Sequence, residues 1–193
     1  MEGISEAAVR VALKGQYHSA LAMLREAVEL CPDDLWLDET PRNAFWRVAY
    51  HALFFVHLYL MDTPEDFVPW AGHQADVQQQ DGIEGPPEPD STLPVSPNPY
   101  PKTDVLAYWA ICDAMVHERV DAMDLSSETS GFYWYPISKL EHQIVNIRHT
   151  AHHAAQLADR VRAARDVGVK WVGSGSGEPR ASGGSAHDSS PSV

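Results

Sequence analysis

The sequence predicts an all-α protein, a four-helix bundle with a long proline-rich crossover between its second and third helices. Apolar residues recur at helical spacing in four long stretches of the chain. No stretch of useful length alternates between apolar and polar residues as a half-buried strand would. Prolines crowd the middle of the chain and exclude regular helix there. Four helices with one long connection are typical of a helical bundle.

The first two helices are predicted from their caps as well as from their periodicity. The first covers residues 5–30 and has Ser5 as its N-cap. The second covers residues 41–61, with Thr40 as its N-cap and Pro41 at its first helical position. Proline is favoured there because it lacks the N–H that a first-turn residue leaves unpaired.

The second half of the chain holds the crossover and two more helices. The crossover covers residues 63–103, and a connection of this length is unusual inside a compact domain. Thr103 is predicted to cap the third helix, residues 104–123. The fourth helix is predicted over residues 137–166, which contain neither proline nor glycine. Together, residues 1–170 are predicted to form one domain. Residues 171–193, rich in glycine and serine, are predicted to be a disordered tail.

Composition excludes some functions and favours others. The 193 residues carry a formal net charge of −13, which argues against nucleic acid or an anionic membrane as the main partner. The two cysteines, Cys31 and Cys112, match no metal-finger spacing, and such sparse usage favours a reducing compartment. Both side chains are expected to be buried or half-buried. No signal peptide is evident, and residues 45–61 are too short and too polar to span a membrane comfortably. We therefore expect a cytoplasmic protein.

The fourth predicted helix carries the strongest chemical signal. Residues four apart share a helix face, so His149 and His153 point the same way, and Gln156 and Arg160 continue the stripe. Two neutral imidazoles one turn apart can bind a zinc, nickel or copper ion together as a bidentate pair of ligands. His152 is expected to face outward or to lie behind the metal ligands.

The periodicity of the same helix also allows a competing interpretation, which the pattern alone does not exclude. Its opposite face forms an apolar stripe that is typical of a core face, and on that pattern the histidine face would be solvated. The stripe consists of Leu140, Ile144, Ile147, Ala151, Ala154, Ala158 and Val161. Five other histidines are expected to be surface or half-buried residues, namely His18, His57, His73, His117 and His142.

His51 is the candidate third ligand. It lies on an apolar face of the second predicted helix, beside Ala44, Val48, Phe55 and Leu58. A buried imidazole needs a polar partner, which is either a metal ion or a carboxylate or hydroxyl group.

Two segments resemble the DinB-like family of bacterial four-helix-bundle proteins. They are Ala49-Tyr-His51-Ala-Leu-Phe-Phe on the second helix and Asn146-Ile-Arg-His149-Thr-Ala-His152-His153-Ala-Ala-Gln156-Leu157 on the fourth. The resemblance covers about residues 5–165, although the first and third helices match only in length and amphipathicity. It implies a divalent metal, typically zinc or nickel, held by His51, His149 and His153, and frequent homodimers.

The same resemblance implies a class of activity without fixing the reaction. Some relatives are metal-dependent transferases or isomerases that use a low-molecular-weight thiol, so we expect a thiol transferase or a related hydrolase acting on a small molecule. In that scheme Gln156 orients a bound water or a ligand's ring nitrogen, and Arg160 binds a carboxylate of the cosubstrate. A plain polar surface role for Gln156 and a surface salt bridge for Arg160 are the alternatives.

Three weaker candidates and one alternative function complete the expectations. Glu118 is a candidate general base by residue type only, and Trp134 and Tyr135 are candidates for the rim of a pocket. The alternative function is a non-enzymatic metal- or ligand-binding bundle that acts through protein partners. In that case the acidic, proline-rich crossover would be the interaction segment.

Overall fold

The computed structural model describes residues 3–41, 43–80 and 98–175, and these are all helix, turn or irregular chain. The prediction of an all-α protein is therefore confirmed over the described residues. The helices are α1 (Glu6–Leu30), α2 (Asp33–Trp36), α3 (Phe45–Tyr59), α4 (Lys102–Ala122) and α5 (Lys139–Arg165), with a short 3₁₀ helix at Pro64–Asp66. The one-turn helix α2 is absent from the sequence prediction, so α3, α4 and α5 are the predicted second, third and fourth helices.

Serine caps fix the starts of the two longest helices. The Ser5 hydroxyl accepts a hydrogen bond from the Ala8 N–H at 3.2 Å, as predicted from the sequence. At α5 the Ser138 hydroxyl accepts from the Glu141 N–H at 3.2 Å. Each cap satisfies one of the backbone donors that a helix start leaves unpaired.

The predicted starts of the other two long helices are wrong. Helix α3 begins at Phe45 rather than at Pro41, and its N-cap is Ala44. The reason lies just upstream, where the Asp38 carboxylate accepts from the Thr40 N–H at 2.9 Å and holds that segment in a turn. Helix α4 begins at Lys102 after Pro101, so Thr103 lies within the helix and does not cap it.

Cross-helix contacts fix the direction of each long helix. Helices α1 and α4 are antiparallel, since the Lys14–Asp121 pair lies near one end and the Lys102–Cys31 hydrogen bond near the other. Helices α3 and α5 are also antiparallel, since Gln143 bonds the Tyr59 carbonyl and Arg160 bonds the Asn43 carbonyl. Helix α1 also packs on α5, and α3 on α4.

The long crossover follows from these directions. Helices α3 and α4 are parallel, because Trp46 packs against Tyr100 near their starts and Cys112 contacts the Leu53 carbonyl further along. The chain must therefore return over about the length of a helix between the end of α3 and the start of α4, and two consecutive parallel helices cannot be joined by a tight turn. The described ends of the crossover are paired, since the Gln74 amide exchanges two hydrogen bonds with the Asn98 backbone.

The core is lined by a fully buried α3 and by a polar face of α5. Every residue of α3 except Arg47 is buried. The buried face of α5 consists of Lys139, His142, Gln143, Asn146, Thr150, His153, Ala154, Leu157 and Val161. The apolar stripe that the competing interpretation assigns to the core is only partly buried. Ile144 is 53% exposed and Ala151 is exposed, whereas the other five stripe residues are buried or half-buried. The polar face of α5 lies inside because it hydrogen-bonds to α1 and α3, as described below.

The end of the described chain lies along α1. The Gly175 N–H donates to the Gly15 carbonyl at 2.9 Å, and the Gln16 amide donates to the Gly173 carbonyl at 3.0 Å. The predicted tail from residue 176 onward lies outside the described residues, as do most of the crossover prolines. In the described part of the chain, no helix combines the length and apolarity needed to cross a membrane. Both cysteines are buried and free, as expected.

Candidate metal centre

His51 is held in place by the burial of α3 and by the crossover. His51 is 8% exposed. Its ring packs edge-on against the ring of Phe55, and the two ring centroids are 4.8 Å apart. Its Nδ1 lies 2.5 Å from the Gln78 carbonyl oxygen. A carbonyl oxygen only accepts, so Nδ1 carries the proton and the Nε2 lone pair faces away from the crossover.

His149 and His153 reach the same point from α5. The antiparallel packing of α3 and α5 places His51 opposite this pair. The sequence predicted this arrangement on the condition that the two helices pack against each other. The Nε2 atom of His149 lies 3.0 Å from Nε2 of His51 and 3.1 Å from Nε2 of His153. One candidate ligand atom from each of the three residues lies within 4.8 Å of both others. Imidazoles from two helices therefore converge on one point.

The spacing of these nitrogens fits a metal ion. A tetrahedral zinc ion with bonds of about 2.0–2.1 Å holds its nitrogen ligands roughly 3.3–3.4 Å apart. The separations of 3.0 and 3.1 Å from His149 to the other two histidines differ from this by a few tenths of an ångström. A ligand atom of each of the three residues lies within 4.8 Å of the others. Three histidines at ligand distance can thus hold a metal ion.

The proton count at this point also fits a cation. The Nδ1 atom of His153 lies 3.0 Å from the Gln156 amide oxygen, so it too carries the ring proton. The lone pairs of Nε2 in His51 and His153 therefore both face Nε2 of His149. A neutral His149 has one proton to donate, and at least one lone pair then faces another nitrogen without a proton between them. A bound cation satisfies all three nitrogens at once.

The pKa values of the three imidazoles keep them neutral. Burial lowers the pKa of His51 to about 3, of His149 to about 2 and of His153 to about 4. The neighbouring histidines lower the pKa values further. Neutral imidazole is the form that binds metals, so no proton has to be displaced at neutral pH.

Two arginines, Arg47 and Arg160, contribute to the pKa shifts of the triad histidines. Arg47 lowers the pKa of His51, and Arg160 lowers that of His153. The Arg160 guanidinium donates to the Asn43 carbonyl at 2.8 Å, and its burial lowers its own pKa. Gln156, the other residue assigned to cofactor binding from sequence, holds the His153 ring. The nearby Asp38 carboxylate acts in the opposite direction and raises the pKa of Arg160.

Among the described contacts, the remaining candidates Glu118, Trp134 and Tyr135 form no hydrogen bond or ring contact with the triad, whereas His152 lies beside it. Glu118 is exposed on α4. Trp134 donates to the Tyr59 hydroxyl at 3.4 Å, and Tyr135 packs edge-on against the same Tyr59 ring. Both aromatic residues thus pack near the start of α5. His152 is exposed, as expected, with its ring centroid 5.1 Å from that of His153.

Three histidines expected at or near the surface are buried instead. His18 pairs with the Asp113 carboxylate at 2.7 Å, and His57 lies 3.1 Å from the Tyr108 hydroxyl. His142 is completely buried, with its ring against Tyr59. Burial lowers the pKa values of His57 and His142 to about 4. Helical periodicity did not reveal them because their partners come from other helices.

The sequence analysis also missed Gln78, whose backbone carbonyl orients His51. A backbone contact from a crossover leaves no pattern in the sequence. Comparisons of the chain with protein-family models, with curated protein sequences and with solved structures found no match. The geometry of the three histidines and the resemblance of the sequence are thus the grounds for proposing a function.

Proposed function

We propose that this chain is a DinB-like four-helix bundle that binds one zinc or nickel ion through His51, His149 and His153. We further propose that it acts as a metal-dependent transferase of a low-molecular-weight thiol, or as a related hydrolase. One observation supports this above all others. Three neutral imidazoles from two helices converge, and hydrogen bonds to Gln78 and Gln156 direct two of their lone pairs inward.

The ligand set favours a catalytic centre over a structural one. Three protein ligands leave a tetrahedral ion with an open position, whereas structural zinc sites are closed by four. A divalent ion bound there supplies Lewis-acid chemistry, which lowers the pKa of a coordinated thiol or water. His51 and His153 contribute fixed geometry, because each is held at Nδ1 while Nε2 faces the ion.

A half-buried arginine near the triad, Arg160, supports the proposal of an anionic cosubstrate. The ligands are neutral, and Arg47 and Arg160 are near enough to shift the pKa values of His51 and His153. Arg160 lies two helical turns beyond His153 and is half-buried, where a guanidinium binds a carboxylate more strongly than at a solvated surface. A thiol that carries carboxylates matches this environment.

Metal analysis tests the binding part of the proposal. Protein purified without a histidine tag and loaded with zinc or nickel is expected to retain about one ion per chain after removal of excess metal. His51→Ala and His153→Ala are expected to lose that ion. His152→Ala is the matched control, because this exposed histidine is the chain neighbour of His153 and is expected to retain the metal. Equal retention by all three variants would refute the ligand assignment.

An assay with several thiols tests the reaction. The metal-loaded protein is incubated with carboxylate-bearing and uncharged thiols and an electrophilic dye, and thioether formation is followed by absorbance. Turnover is expected with the carboxylate-bearing thiols, and His153→Ala is expected to abolish it. Metal binding without turnover of any thiol or ester would favour the alternative of a non-enzymatic binding bundle.

A further inference from the structure

The three proposed ligands differ in how their outer nitrogens are satisfied. His51 donates from Nδ1 to the Gln78 carbonyl, and His153 donates from Nδ1 to the Gln156 amide oxygen. The Nδ1 atom of His149 is buried and has no hydrogen-bond partner among the described residues. Metal-bound histidines almost always donate their second N–H to an oxygen acceptor, which fixes the ring and raises its basicity. The third ligand therefore needs an acceptor.

A matching acceptor lies one turn earlier on the same helix. Asn146 is completely buried, and its Oδ1 atom has no hydrogen-bond partner among the described residues. Residues three apart on a helix are neighbours on its surface, so Asn146 and His149 share a face. A buried donor and a buried acceptor, each unsatisfied, thus lie on the same helix face. Leaving both unpaired is unfavourable, because each group gives up its hydrogen bond to water and gains none in return.

The orientation of the Asn146 amide is fixed by its other contacts. Its Nδ2 atom donates to the Tyr17 hydroxyl at 2.9 Å and lies 3.4 Å from the Val56 carbonyl oxygen. The Tyr17 hydroxyl in turn donates to the Gln143 amide oxygen at 2.6 Å. Exchanging the two ends of the amide would place Oδ1 against the Val56 oxygen, which is also an acceptor. The nitrogen therefore occupies that position, and Oδ1 remains available.

We propose that Asn146 is a positioning residue for the metal centre, its amide oxygen accepting the Nδ1–H of metal-bound His149. The two atoms form no direct hydrogen bond in the structure, so the proposed contact is one that a water molecule mediates. A bridging water is nearly as favourable as a direct contact. The proposal rests on the proposed function, because it assumes that the triad binds a metal. With this contact, each of the three imidazoles has an oxygen acceptor for its Nδ1–H. The acceptors are the backbone carbonyl of Gln78 and the side-chain amides of Asn146 and Gln156.

The test compares zinc affinities of folded variants by competition with a chromophoric chelator. Asn146→Leu and the smaller Asn146→Ala remove the acceptor and are expected to bind zinc about 10–100-fold more weakly than the unmodified chain. Asn146→Asp keeps an acceptor oxygen and is expected to bind zinc at least as tightly as the unmodified chain. Helical content by circular dichroism confirms that each variant is folded.

Ser138→Ala is the matched control. It removes the N-cap hydrogen bond of the same helix, about three turns before His149, so it is expected to lower the free energy of unfolding and to leave the zinc affinity unchanged. If Asn146→Leu and Asn146→Ala lose stability but bind zinc as the unmodified chain does, Asn146 serves the fold alone and the proposal is wrong. An unmodified chain that binds no zinc would instead overturn the proposed function, and this inference with it.

Discussion

Helices α3 and α5 supply the candidate metal ligands in opposite ways. Helix α3 is buried almost all round and apolar, and His51 is one of its few polar residues. Helix α5 is exposed on one side, and the side it buries is mostly polar. On α3 a buried histidine is conspicuous in the sequence. On α5 the ligands lie among other buried polar residues, and the apolar stripe of the sequence is only partly buried.

The comparison shows how a polar helix face becomes a core face. Gln143 accepts from the Tyr17 hydroxyl of α1 and donates to the Tyr59 carbonyl at the end of α3. Asn146 bonds to the same hydroxyl and approaches the Val56 carbonyl. These amides satisfy groups on two other helices, so their burial is compensated by hydrogen bonds. The polar face of α5 therefore positions His149 and His153 by pairing rather than by apolar packing alone.

The largest expected effect is acid destabilisation of the protein without added metal. The three triad histidines have pKa values of about 3, 2 and 4, against an ordinary value of 6.5. Below pH 6.5 the unfolded chain takes up protons that the folded chain does not, so stability is present above that pH and is lost as the pH falls towards 4. Each histidine contributes a slope of up to about 1.4 kcal/mol per pH unit.

Urea unfolding at several pH values measures that slope. His153→Gln removes one of the three titrating groups from the triad and is expected to make the dependence less steep. His57 and His142 add to the slope in the same direction, because burial lowers their pKa values as well. A free energy of unfolding that stays constant between about pH 6.5 and pH 4 would contradict the burial of neutral imidazoles described here.

The next largest effect is a difference in how much the protein is destabilised by substitutions at two adjacent residues of α5. Gln143 is completely buried, whereas Ile144 is 53% exposed. Gln143→Leu leaves the Tyr17 hydroxyl proton without its acceptor and the Tyr59 carbonyl without the Gln143 amide, and we expect it to cost about 2–4 kcal/mol. Ile144→Ser is expected to cost less than about 0.5 kcal/mol. Chemical denaturation measures both, and a larger cost at Ile144 would mean that the apolar face of α5 is the buried one.

These two residues illustrate what the sequence could and could not predict. Helix content, the Ser5 cap and the pairing of His149 with His153 on one face follow from local patterns, because spacing and capping act within one segment. The addition of His51 as third ligand came from the family resemblance. The inward face of α5 does not follow from local patterns, since its polar residues are buried by partners on α1 and α3. The start of α3 was misplaced for a similar reason, because the Asp38 turn competes with an otherwise favourable Thr40-Pro41 helix start.

A smaller effect separates the outer partners of the ligands on the two helices. His153 on α5 is held by the Gln156 side chain, so Gln156→Leu is expected to weaken zinc binding about 10–100-fold. His51 on α3 is held by a backbone carbonyl, which Gln78→Ala does not remove, and we expect its zinc affinity to stay within about threefold of the unmodified value. Competition with a chromophoric chelator measures both. Similar losses in the two variants would contradict this distinction.

The smallest expected effect concerns how the two helices begin. Ser138 caps α5 with its side chain, whereas Ala44 at the start of α3 has no side-chain oxygen to offer. Ser138→Ala is expected to lower the free energy of unfolding by about 1 kcal/mol. Thermal and chemical denaturation measure the change. An unchanged free energy of unfolding would show that the packing of α5, rather than its cap, determines where this helix begins.

The most direct test of the centre is an anomalous-scattering measurement on crystals of the zinc-loaded protein. The account predicts one zinc peak per chain, bonded to Nε2 of His51, His149 and His153 at about 2.0–2.1 Å, with a position left open. A peak elsewhere on the chain, or no peak at the point where α3 meets α5, would contradict it.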